Sequence, residues 1–368
     1  MTQLSISSVG SDMHVRRVGL FSITNVTPNW FAAVMGTGIV ANAAAGQPFQ
    51  WPGMQQAALI IWLIAFALLV FLTAASLIHW VRHPHVARAH HLNPVMAHFY
   101  GAPPMAFLTV GMGTLLIGRN LIGLHAAVVI DWVLWSLGTA GGLFAAVAVP
   151  YLAFTRHENS ADSAFGGWLM PVVPPMVSAA TGAVLLPHIA AGQARDTLLA
   201  GCYAMFGLSL LASIVVITQL WQRLSIHKVG AENMVPTLWI VLGPLGQSIT
   251  AVNLLAGNAN GAFGPELDRA LMMFAVLYGL PVLGFALMWL GIAAAITLRT
   301  ARRGLPFSLT WWSFTFPVGT CVTGTAGLAL HTGLTALAVL SALLFAFLVT
   351  AWLTVGLRTL RGSWPRAA

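Results

Sequence analysis

The chain has 368 residues, of which 58% are hydrophobic and only 7% charged, with a net charge of +8 and a mean hydropathy of +0.84. Soluble domains carry roughly a quarter charged residues, so a water-covered globule of this composition is excluded, because it would expose large apolar patches and aggregate. The positive charge does not point to nucleic acid, since the basic residues flank apolar runs, and no nucleic-acid partner is expected.

Residues 1–22 are polar and mixed and lack the apolar core of a cleaved secretory signal. Ten apolar runs follow, at roughly 25–45, 55–80, 96–118, 125–154, 166–190, 197–221, 234–257, 269–297, 306–331 and 334–357. Each approaches the ~20 residues that a bilayer-crossing helix needs. The segments between them are too short for a folded domain. The expected fold is therefore all-α and integral to the membrane. One ten-helix transport domain at 25–357 is expected between an N-terminal segment (1–24) and a C-terminal tail (358–368).

Lysine and arginine set the orientation. Arg16, Arg17, Arg82, Arg88, Arg156, Arg223, Lys228, Arg299, Arg302, Arg303, Arg358, Arg361 and Arg366 fall on one side of the predicted alternation, 13 of the 16 basic residues. Arg119, Arg195 and Arg269 fall on the other. The positive side faces the cytoplasm, which puts both termini there, in a plasma membrane such as a bacterial inner membrane.

Odd-numbered runs carry Pro28, Pro104, Pro175, Pro244 and Pro317, spaced 76, 71, 69 and 73 residues apart, together with many glycines. Even-numbered runs are mostly Leu, Ala, Val and Trp. The near-constant period predicts five repeats of a helical hairpin. Proline frees backbone carbonyls, which in lipid must be satisfied by protein or by water in a cavity. Bent odd helices are thus expected as an inner ring around a narrow pore, and even helices as a lipid-facing outer ring.

Chemistry-bearing motifs are sparse. No metal site, cofactor or catalytic group is expected. His79, His83, His85, His90 and His91 cluster around the second connection and read as a solvated loop. The eight acidic residues, Asp131 among them, read as loop or helix-end residues, which leaves the odd helices without a carboxylate. Those helices offer hydroxyls and aromatic rings instead. Phe31, Thr37, Phe99, Phe107, Thr181, Gly182, Gly246 and Thr320 are the candidates to line a pore. A lining without carboxylates favours anions over cations.

Five segments carry a family likeness: PNWFAAVMGTGIVA (28–41), FYGAPPMAFLTVGMG (99–113), WLMPVVPPMVSAATGAVL (168–185), PTLWIVLGPLGQS (236–248) and WWSFTFPVGT (311–320). Together they resemble the tellurite-resistance/dicarboxylate transporter family. That family includes plant slow anion channels, a bacterial tellurite-resistance membrane protein, fungal malate permeases and fungal sulfite exporters. The resemblance implies five helical hairpins with quasi-five-fold symmetry around a central pore, and a homotrimer with one pore per subunit. It also implies a phenylalanine from the ninth helix plugging the pore, which falls on Phe316, with Phe314 as the alternative. The expected function is transport of a small anion, a C4-dicarboxylate such as malate or sulfite, across the lipid bilayer. A proton-coupled carrier or a toxic-oxyanion exporter for tellurite or sulfite is the alternative, and enzymatic activity is not expected.

Overall fold

The computed structural model describes residues 21–363 apart from Asn260 and Phe263. The expectations placed on Arg16, Arg17, Arg366 and most of the N-terminal segment lie outside the described residues. The α-helices, in chain order, are α1 (Phe31–Ala45), α2 (Met54–Arg82), α3 (Pro84–Leu92), α4 (Ala102–Gly113), α5 (Arg119–Ile122), α6 (Leu124–Thr155), α7 (Pro174–Leu185), α8 (Gln193–His227), α9 (Leu242–Asn258), α10 (Pro265–Ala301), α11 (Phe316–Thr332) and α12 (Thr335–Ser363). A π-helical turn, Thr114–Gly118, joins α4 to α5. Seven helical segments among the described residues are long and apolar enough to cross a membrane: α2, Met96–Ile122, α6, α8, Glu232–Asn258, α10 and α12.

Two helix classes alternate. Helices α1, α4, α7, α9 and α11 run 12–17 residues. Helices α2, α6, α8, α10 and α12 run 29–37, enough at ~1.5 Å per residue to cross ~30 Å of hydrocarbon. Each short helix is introduced by a 3-10 segment: Pro28–Trp30, Met96–Gly101, Gly166–Leu169, Glu232–Val241 or Leu309–Phe314. This corrects the expectation of bent helices. Pro104, Pro175, Pro244 and Pro317 stand in the first turns of α4, α7, α9 and α11, and Pro28 opens the 3-10 turn before α1. The first N–H groups of a helix have no intrahelical acceptor, so proline there sacrifices no bond and presets φ. The prolines mark where 3-10 geometry gives way to α.

The short helices pack in a closed circuit: α1 on α4, α4 on α7, α7 on α9, α9 on α11, and α11 back on α1. Each short helix also packs on the long helix that follows it. The tightest crossing is α9 with α11. A side chain on Gly246 would run into the backbone at Thr320 and Cys321, so only glycine permits that approach. Thr250 on α9 bonds Thr323 on α11 at 2.7 Å.

Indole N–H groups tie the long helices to this circuit. Trp62 on α2 donates to the Val110 carbonyl (3.4 Å), Trp135 on α6 to the Ser178 carbonyl (2.9 Å), Trp289 on α10 to the Leu238 carbonyl (2.9 Å) and Trp352 on α12 to the Thr37 hydroxyl (3.1 Å). Lipid supplies no hydrophobic force between helices, so such bonds and close small-residue contacts carry the association.

The second connection is a helix, α3, rather than a loop, with His85 exposed and His83, His90 and His91 part-buried. His79 is buried in α2, its ring stacked 5.7 Å from that of His90. Burial holds the His90 and His91 imidazoles below their ordinary pKa, with the charge of His79 adding to the effect at His90.

Candidate functional site

The short helices all start at the end of the molecule where most of the basic residues lie and finish at the other, so their first turns converge at one end and their last turns at the opposite end. Each convergence encloses a cavity. The first is an apolar space of about 30 Å³ lined by Met35, Phe99, Pro244 and Phe316 from four of the short helices or their 3-10 lead-ins, and by Met170 and Val173 from the turn that leads into α7. One water needs roughly 10–15 Å³ of such volume, so a hydrated ion does not fit. Phe316 is 3% exposed and Phe99 5%. Phe316 is the first residue of α11, preceding Pro317, and both line the cavity. Met35, Met105 and Met170 complete much of the wall. Their unbranched side chains repack at little cost.

The second cavity, about 540 Å³, takes lining residues from all five short helices, here from their C-terminal halves. Its polar groups include Asn42, Thr250, Asn253, Thr323, Arg119 and His331, and none of its lining residues is acidic. The Asn253 amide donates to the Ile249 carbonyl at 2.8 Å, and its oxygen pairs with His331 Nδ1 at 2.6 Å.

The structure brings together Phe316, Phe99, Pro244 and Pro317 among the residues singled out from sequence. The other candidates line neither cavity. Phe314 packs edge-on against Trp239 (5.2 Å) and Trp311 (5.7 Å). Thr37 donates to the Ala33 carbonyl and receives Trp352 of α12. Thr181 bonds back to Val177, and Thr320 to Pro317 and to carbonyls of α9. Gly182 faces Cys202 of α8 and Trp135 of α6. Gly246 is spent on the α9–α11 crossing, Phe31 is buried in the core, and Phe107 is half-buried against it. The threonines misled because a helical hydroxyl bonds most readily to the carbonyl one turn back. From sequence Arg119 serves only as a marker of orientation, and His331 is not singled out. The available signal was that His331 sits in the last turn of an otherwise uncharged inner run.

Asp131 is a second correction. It is not a helix-end residue exposed to water but lies two turns into α6, 0% exposed, with neither carboxylate oxygen hydrogen-bonded. A Cβ on Gly111 of α4 would lie 2.5 Å from its Oδ1. The protein interior therefore holds a carboxyl group, but behind α4 and outside both cavity linings.

A further pocket of about 590 Å³ lies off the circuit between α8, α10 and the 3-10 segment before α9, with Lys228, Arg299 and Arg303 beside Trp221 and Trp289. The short helices contribute nothing to its walls. Among the described residues, no three His, Cys, Asp or Glu side chains are grouped to hold a metal ion.

Comparison with known families matches residues 25–360 to SLAC1, described as voltage-dependent anion channel. A sulfite efflux pump from Arthroderma otae is 28% identical over 317 residues, covering 84% of this chain and 83% of the relative. An uncharacterized transporter from Methanocaldococcus jannaschii is 26% identical over 304 residues, covering 82% of this chain and 84% of the relative. The malic acid transport protein of Schizosaccharomyces pombe is 20% identical over 313 residues, covering 80% and 68%.

Proposed function

The chain belongs to the SLAC1 voltage-dependent anion channel family, and from that premise we propose that it carries sulfite or a C4-dicarboxylate such as malate through the axis of the short-helix circuit. The protein is a multi-pass membrane protein that transports anions. The observation that carries the fuller reading is the pair of cavities: an apolar constriction where five helix starts converge, and an acid-free vestibule where the same helices end.

On this reading all ten helical runs cross the membrane. Their 3-10 lead-ins supply the length that α1, α7 and α11 lack alone; residues 309–332 extend roughly 35–40 Å. The hairpins then repeat with quasi-five-fold symmetry around one pore, in a single transport domain. Ten described basic residues at the constricted end, against Arg119, Arg195 and Arg269 at the other, support cytoplasmic termini. The assembly is a homotrimer built through the long helices, leaving each pore whole.

Phe316 is the gate. An anion must shed hydration to pass an apolar ring, which is costly, and a rotamer change removes the obstacle. Phe99 faces the same space and narrows it. A proton-coupled carrier is the second reading, favoured by the buried, unpartnered carboxyl of Asp131, since ionisable groups within the bilayer commonly mark proton routes.

The test is flux into proteoliposomes with sulfite, malate, nitrate and chloride compared side by side, with and without a pH gradient. Sulfite or malate flux above that of protein-free vesicles supports the reading, and accumulation driven by the pH gradient assigns the carrier mechanism. Absence of flux for all four anions contradicts it.

A further inference from the structure

We infer that the wide vestibule is an anion-binding site in which Arg119 supplies a fixed charge and His331 a proton-dependent one, so that anion and proton bind together. This rests on the anion-transport reading and names where the ion is held before or after the constriction.

The hydrogen bonds orient the imidazole. The Asn253 amide nitrogen is committed to the Ile249 carbonyl at 2.8 Å, which leaves the amide oxygen as acceptor for His331 Nδ1–H at 2.6 Å. Nε2 is left beside Gly257, another residue of the vestibule wall. In the neutral ring Nε2 presents a lone pair, which repels an anion. In the protonated ring it presents N–H and a positive charge, so one proton turns that part of the wall from acceptor to donor. The rest of the lining offers an anion Arg119 and Asn120 and no carboxylate to compete, while the amide nitrogens of Asn42 and Asn258, like that of Asn253, each donate to a backbone carbonyl.

Arg119 is the other charged or titratable group in the lining. The elements packed on α11 add little. Helices α1 and α9 contain no titratable side chain. Helix α10 carries Glu266, Asp268, Arg269, Tyr278 and Arg299, none of which lines the vestibule. The basic residues of α12, Arg358 and Arg361, lie at its far end, as does Glu232 in the 3-10 segment before α9. The thermodynamic consequence is reciprocal: an anion that binds the protonated form better raises proton occupancy by the same factor.

Titration of the purified protein with potassium sulfate, an oxyanion whose charge is constant in this range, tests the site. Affinity should rise severalfold between about pH 7.5 and about pH 5.5 as the imidazole takes up its proton. His331→Gln should remove that step, and His331→Lys should bind at about pH 7.5 as tightly as the parent does when acidified. Arg119→Gln should weaken binding at both pH values while retaining the step. Absence of binding at about pH 5.5, a pH step that survives His331→Gln, or binding unchanged in both neutral variants overturns the assignment; the last places the ion elsewhere, for example at Lys228, Arg299 and Arg303. Chloride and nitrate flux through the parent protein separates the two claims. Flux with pH-independent sulfate binding overturns the vestibule site alone, and loss of all anion flux overturns the transport reading beneath it.

Discussion

The short and long helices draw on the same hydrophobic residues and differ in what surrounds them. In the most apolar stretch of Glu232–Asn258, 94% of residues are buried, and 67% in Met96–Ile122, against 22–28% in the five long helices. Phe154 on α6 is 86% exposed and Val81 on α2 81%, as lipid permits. Hydropathy alone therefore does not sort inner from outer helices. What sorts them is tolerance of close approach: glycines against backbone, threonines bonded to their own helices, and prolines placed where a helix begins.

The comparison breaks hardest at glycine. Gly246→Leu forces α9 away from α11, and overpacking against backbone should cost above about 3 kcal/mol, read as lost yield of folded protein and a collapsed melting temperature. Gly284 on α10 has nothing within 4 Å of where a Cβ would stand. Gly284→Ala should leave stability unchanged or raise it by about 0.5–1 kcal/mol. Equal effects at the two positions would erase the distinction between the helix classes.

Next in size is a functional contrast. Phe316→Ala should raise anion flux severalfold in a protein that still folds, whereas Phe154→Ala on the exposed face should leave flux alone. If Phe316 is a packing residue, its truncation instead costs about 3–5 kcal/mol with no gain in flux. Smaller again is Trp352→Phe, which keeps the ring bulk and removes the N–H donated to Thr37. The expected loss is about 1 kcal/mol, measured by denaturation in detergent.

The least effect is expected outside the bilayer, in α3. His90 and His91 are held below their ordinary pKa by burial, so the folded form takes up protons less readily than the unfolded one. The stabilisation is present above about pH 6.5 and is lost as pH falls from there through the lower pKa values of the folded state. Amide exchange across Pro84–Leu92, corrected for intrinsic rates, should quicken on acidification while exchange in α9 does not change.

Much of this was readable in the sequence. The apolar runs place their helices within a few residues, as with the run at 96–118 and the segment Met96–Ile122, because in lipid every backbone group must be satisfied within the element. The prolines stand at junctions where the short helices begin rather than at kinks within them. The site was less legible. The sequence offers Phe99 only as one of several aromatic rings of the odd runs, and Phe316 through the family resemblance. Hydroxyl content misdirected attention to Thr37, Thr181 and Thr320, whose oxygens are consumed by carbonyls and a tryptophan. Asp131 was missed because distance from a helix end in sequence does not say which face a side chain occupies. Arg119 and His331 meet in one cavity through the circuit of short helices, and no local pattern brings them together.

On the proposed reading anions pass inside the short-helix circuit and Phe316 closes it. The most direct measurement is the reversal potential of Phe316→Ala in planar bilayers under a gradient of potassium salt. Its conductance should lie well above that of the parent and reverse near the anion equilibrium potential. A reversal that follows potassium, or a folded variant with unchanged conductance, would contradict that reading.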